Sequence, residues 1–137
     1  SNIVYADGRK MLDGGIADSI PLRAFEHLGY TRNIVILTQP EGYRKGKNPL
    51  LPALRIAMRK YPALIRAMEM RHIVYNEEVA DIERRAEAGS VLLIRPKHTA
   101  GVGRTEKDAE KIKALYDIGR KDALDRLGEI REVFEKR

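Results

Sequence analysis

Leu64, Met68, His72, Tyr75, Val79, Ile82 and Ala86 recur at spacings of three and four, and Gly89 closes the run. That is the period of an α-helix with one continuous inward face, and it predicts a helix of about seven turns beginning after the Tyr61-Pro62 pair. A helix of that length needs a surface to lie on. Two short apolar runs flank it, Asn33 to Thr38 (NIVILT) before and Ser90 to Pro96 (SVLLIRP) after. Uninterrupted runs rich in Val, Ile and Leu are the pattern of strands buried on both faces in a parallel sheet.

The rest of the chain fills in around this frame. Apolar residues at Ile3 to Tyr5 and Met11-Leu12 flank Asp7-Gly8, the preferred two-residue hairpin turn, and predict a hairpin over residues 3–13. Asp18 or Ser19 is placed to cap a short helix that tolerates Pro21 in its first turn and stops at Gly29. Hairpin strand, helix and NIVILT strand then make a βαβ unit. Residues 39–52, with Pro40, Gly42, Gly46, Pro49 and Pro52, read as a loop, and Leu54 and Met58 mark a short amphipathic helix. After the glycine-containing loop Ala100 to Arg104, Thr105 and Asp108 have capping spacing. The stripe Ile112, Tyr116, Gly119, Ala123, Leu127, Ile130 and Phe134 predicts a final helix to residue 135, either continuous or kinked at Gly119. The expected class is α/β: a small, truncated sheet, made of a hairpin plus parallel strands, packed with two long helices.

Composition removes several function classes. Without cysteine there is no disulfide, thiolate metal site or cysteine nucleophile, and His27, His72 and His98 have no metal-ligand spacing, so neither a metal nor a cofactor is expected. With 43% hydrophobic and 34% charged residues the chain is a folding one, and no apolar run reaches the length of a bilayer span. Of the net charge of +6, residues 41–60 hold a balance of +5, with Arg44, Lys45, Lys47, Arg55, Arg59 and Lys60 against Glu41. The basicity is therefore one patch. It has no base-reading motif, so nucleic acid is not the expected partner.

Asp13-Gly14-Gly15 admits two readings. Asp-Gly-Gly is an ordinary turn after a strand. It is also a way to hold a carboxylate in open space at the carboxyl end of a strand, where α/β sheets place their sites. The longer run MLDGGIADSIP at 11–21 resembles the second active-site motif of the patatin-like phospholipases, and ILTQPEGYRK at 36–45, MRHIVYNEEV at 70–79 and IRPKHTAGVGR at 94–104 look like the bacterial branch of that family. The resemblance implies that Asp13 is the aspartate of a Ser–Asp dyad supported by Gly14 and Gly15, working on a lipid or carboxylic ester. It also implies that residues 1–40 end a catalytic core and 41–137 form a helical extension with one further strand.

The nucleophile of such a dyad sits on a G-x-S-x-G elbow. None of Ser1, Ser19 and Ser90 has glycines two before and two after, and Ser19 reads as a helix cap and Ser90 as a turn residue. The chain is therefore expected to be the carboxyl-terminal portion of a longer acylhydrolase, inactive alone, located in the cytoplasm or at the periphery of a membrane. Its native start is expected before Ser1. Arg44, Lys45 and Lys47 are the expected contacts with anionic headgroups, and the uncovered sheet edge is expected to favour homo-oligomers. The competing reading is a non-catalytic module that holds an anionic partner with the 44–60 patch. His72, with Arg71, Tyr75 and Asn76, is either a satisfied core histidine or part of a polar network under the site. Gly101 to Arg104 is either a plain loop or a phosphate-cradling turn.

Overall fold

The computed structural model describes residues 3–103 and 105–135, so Ser1 and Arg104 lie outside the described residues. Strands β1 (Val4–Ala6) and β2 (Arg9–Met11) form the expected antiparallel hairpin, with Val4 opposite Met11 and Ala6 opposite Arg9. Asp7 and Gly8 both take positive φ, 49° and 72°, as a turn that follows the strand twist requires. The strand residues are exposed, and the hairpin is pinned by Lys10. Its ammonium donates to the Tyr61 hydroxyl at 3.1 Å and stands 5.9 Å and 5.6 Å from the ring centres of Tyr5 and Tyr61.

The remaining elements are α1 (Leu22–His27), β3 (Asn33–Ile36), α2 (Leu51–Ala57), α3 (Pro62–Glu87), β4 (Val91–Ile94), α4 (Ala109–Asp125) and α5 (Leu127–Glu135). They group into two compact units that interleave along the chain, Ser1–Arg23 with Arg44–Ala80 and Ala24–Tyr43 with Asp81–Arg137. In the first unit Ile16, Leu22 and Val79 are buried. Arg55 of α2 pairs with Glu69 of α3 at 2.7 Å. Asn76 of α3 grips the Lys45 backbone, accepting from its N–H at 2.9 Å and donating to its carbonyl at 3.1 Å.

In the second unit β3 and β4 pair in parallel, from Asn33 opposite Val91 to Ile36 opposite Ile94, and Leu37 N–H extends the ladder to the Ile94 carbonyl at 2.9 Å. Val35, Leu37, Ile82, Val91 and Ile94 are buried there, and α5 packs on both strands. Arg85 bridges Glu26 and Asp81, while Arg95 bridges Glu83 at 2.5 Å and Glu41 at 3.1 Å. The mixed α/β class, the hairpin, the parallel pair and the long α3 thus follow the sequence pattern.

Five local expectations need correction. The hairpin and the β3–β4 pair are separate two-stranded sheets, so β2, α1 and β3 make no βαβ unit. β3 takes β4 as its parallel partner instead, with Asn33 opposite Val91. β3 is not buried on both faces, since Ile36 is 71% exposed. The final helix is broken at Arg126, ahead of Gly128 rather than at Gly119. There the Arg126 guanidinium turns to the Leu93 carbonyl and to Glu129. Its packed side differs in part: of the expected stripe Ala123 and Ile130 are half-buried, but Ile112, Tyr116 and Phe134 are exposed, and Leu115, Ile118, Asp122 and Val133 are half-buried in their place. Finally, α4 is capped by Asp108, which accepts from Glu110 N–H at 3.0 Å and Lys111 N–H at 3.4 Å, and not by Thr105.

Candidate functional site

β2 stops at Met11, and half-buried Leu12 carries the chain to Asp13, which sits at φ −51° and ψ 117° as the cap of a one-turn 3-10 helix, Gly14–Ile16. Buried Ile16 anchors the turn from below. Ile16 N–H donates to the Asp13 carbonyl at 3.1 Å, and Ala17 and Asp18 N–H groups donate to the Gly14 carbonyl at 3.0 Å. With the backbone fixed this way, Gly15 N–H donates to Asp13 Oδ1 at 2.9 Å. The carboxylate is exposed, and among the described residues its second oxygen has no protein partner.

Ser19 does not cap α1. Its hydroxyl donates to the Gly15 carbonyl at 2.8 Å and accepts from Arg71 Nε of α3 at 3.4 Å. Gly15 is closely approached on its open side: a Cβ there would lie 3.2 Å from Asp13 Oδ1 and 3.5 Å from Arg71 Nη2, whereas a Cβ on Gly14 would meet nothing within 4 Å. The sequence places Arg71 beside His72 on one helix, and of the two it is Arg71 that reaches the turn. His72 Nδ1 instead meets the Glu69 carbonyl at 3.0 Å, and Asn76 and Tyr75 serve Lys45. Arginine beside an apolar stripe reads as a solvated charge, so only the packing of α3 exposes its role.

A second carboxylate lies in the same unit. Burial, reinforced by the negative charge of Asp18, pushes the Glu78 carboxyl above its ordinary value, against the pull of the Ile20 backbone N–H and Arg23. Its Oε2 is buried without a partner among the described residues.

The basic segment is less free than its charge suggests. Lys45 is half-buried with its ammonium 4.6 Å from the Tyr75 ring centre, and Arg55 is paired with Glu69, while Arg44 and Lys47 are exposed. Ser90 is the turn residue expected, donating from its hydroxyl to the Arg85 carbonyl at 3.0 Å. Gly101 to Gly103 lie in a loop several residues ahead of α4, so no helix N-terminus follows them directly. A cavity of about 1040 Å³ is an open cleft of the second unit, lined by β4, α4 and α5; Lys121 pairs with Asp125 at 3.0 Å and Arg126 with Glu129 at 2.7 Å there, while Asp122 Oδ2 is buried without a partner among the described residues. Among the described residues no three acidic or histidine side chains are placed to hold a metal, and no helix is long and apolar enough to cross a membrane.

One protein-family model matches residues 61–135, more than half of the 137-residue chain: a domain of unknown function, DUF6363. The chain belongs to this family. The DUF6363 region takes in α3, β4, α4 and α5; Asp13 precedes it, and Arg71 lies within it. No curated protein and no solved structure matches the chain.

Proposed function

We propose that this chain is the carboxyl-terminal portion of a patatin-like serine acylhydrolase and that Asp13 is the aspartate of its Ser–Asp dyad. The observation that carries this reading is the state of the Asp13 carboxylate. One oxygen is fixed by the Gly15 N–H and the other is open to solvent, at the end of a strand-to-turn segment. A carboxylate so held is aimed without being consumed by structural bonds, which is what a general base needs. The similarity of MLDGGIADSIP to the patatin-like motif supports the same assignment.

In the reaction, Asp13 accepts the proton of a serine hydroxyl as the serine oxygen attacks the acyl carbon of an ester. Backbone N–H groups hold the tetrahedral oxyanion, and the C–O bond to the alcohol breaks as Asp13 passes that proton to the leaving oxygen. Water then attacks the acyl-enzyme as Asp13 takes its proton, and the bond to the serine oxygen breaks as that oxygen receives the proton from Asp13, releasing the acid. No serine of these 137 residues stands in G-x-S-x-G, so the nucleophile belongs to residues outside them. Arg44, Lys45 and Lys47 would meet anionic headgroups, with a lipid or carboxylic ester as substrate at the cytoplasmic or peripheral membrane surface. The test is hydrolysis of a short-chain p-nitrophenyl ester by the longer protein. Asp13→Asn should lower turnover by about 10²-fold or more, the usual worth of general-base assistance, and undiminished turnover would overturn the assignment.

A further inference from the structure

We infer that Arg71, in the DUF6363 region, is a positioning residue for the Asp13 carboxylate. The inference rests on the reading of Asp13 as general base. Four residues form a continuous hydrogen-bonded line: Arg71 Nε to Ser19 Oγ at 3.4 Å, Ser19 Oγ to the Gly15 carbonyl at 2.8 Å, and Gly15 N–H to Asp13 Oδ1 at 2.9 Å. The direction of the line is forced. Arginine has donors only, so Ser19 must accept from it, and the single hydroxyl proton of Ser19 is then directed at the Gly15 carbonyl. Gly15 is thereby held at its carbonyl while its N–H points to Asp13.

The second observation is the space that Gly15 leaves open. The point a Cβ would occupy is approached by Asp13 Oδ1 at 3.2 Å and by Arg71 Nη2 at 3.5 Å, so carboxylate and guanidinium converge on one small volume. Ser19 and Arg71 also line one small cavity, of about 70 Å³, with Ile16, Ala67, Met70 and Val74, so the turn and α3 meet there. One task of α3 is therefore to hold the catalytic turn, coupling the family's helical region to the chemistry of a motif that lies before it in sequence.

The experiment uses the longer protein and measures kcat and KM of ester hydrolysis for Arg71→Met, Arg71→Lys, Ser19→Ala and Asp13→Asn, with Tm recorded for each. Arg71→Met should lower kcat about ten-fold with KM changed less than about two-fold, since a small misplacement of a reacting group costs rate and not binding. Arg71→Lys, which keeps the charge, should restore part of the loss. Ser19→Ala should lower kcat similarly, and the Ser19→Ala/Arg71→Met double variant should lose little more than either alone. If Arg71→Met does not fold, Ser19→Ala decides, because it cuts the same line without altering α3. Retained kcat in a folded Arg71→Met, or in Ser19→Ala, would overturn the inference while a loss in Asp13→Asn left the function standing. Retained activity in Asp13→Asn would instead overturn the function, and the positioning role with it.

Discussion

Ile82 is the most buried large side chain described, at 1% exposure, on the stretch of α3 that belongs to the second unit with Val35, Leu37, Val91 and Ile94. Replacing it with alanine removes three carbon groups, worth about 0.8 kcal/mol each in transfer from water. The cavity left behind adds to that, because a side chain exposed by only 1% is enclosed by neighbours that close on the space only in part. A total of about 3 to 4 kcal/mol follows, a large part of the roughly 5 to 15 kcal/mol of a typical domain. In Tm this is a fall of about 10 °C. The assay is urea unfolding followed by far-UV circular dichroism and by tyrosine fluorescence, with Ile56→Ala as the control. Ile56 is 75% exposed on α2, and its loss should cost less than about 0.5 kcal/mol. A cost below about 1 kcal/mol for Ile82→Ala, or no difference from the control, would refute the packing assigned to the long helix.

Asp108→Ala should destabilise the protein by about 1 kcal/mol through loss of the α4 cap, while Thr105→Ala should leave it within about 0.5 kcal/mol, both read by thermal unfolding. Glu78 has its folded pKa raised above the ordinary 4.5, so the stability of its protonated state is fully present below about pH 4.5 and is lost as pH rises through the raised value. Glu78→Gln should therefore be more stable than the parent at pH 7 and show no gain at pH 4, and a pH-independent difference in chemical unfolding would contradict the burial of that carboxylate. The exposed Ile36 edge, with Val4 and Tyr5 uncovered on the hairpin, should drive concentration-dependent self-association. Sedimentation should show it weakened by Ile36→Thr, and a strictly monomeric parent would argue that these faces need no cover.

Much of this fold is legible in the chain because the relevant signals are local. Asp7-Gly8 fixes the hairpin through its own backbone conformation, and the stripe from Leu64 to Ala86 is long enough to mark a helix on any core. The final helices fail for the opposite reason. Ile112, Tyr116 and Phe134 keep helical spacing as well as Leu115, Ile118 and Val133 do, and periodicity cannot tell which side meets the strands. The deciding contact comes from Arg126, whose guanidinium reaches the Leu93 carbonyl, and hydropathy scores that residue as surface. The βαβ expectation erred because spacing along the chain does not say which strands pair. At the site, Asp13, Gly14 and Gly15 announce themselves as a motif, whereas Ser19 and Arg71 gain meaning only when α3 lies against the turn. Ser19 fits a helix cap by sequence, yet its hydroxyl is engaged by Gly15.

The central claim is that Asp13 activates a serine that lies outside these 137 residues, and a fluorophosphonate probe reads that activation directly, since it labels only a serine whose hydroxyl is made nucleophilic. The longer protein should be labelled, its Asp13→Asn variant should lose nearly all labelling, and the 137-residue chain alone should stay unlabelled at Ser19 and Ser90. Labelling of either serine in the isolated chain, or full labelling of the Asp13→Asn variant, would contradict the account.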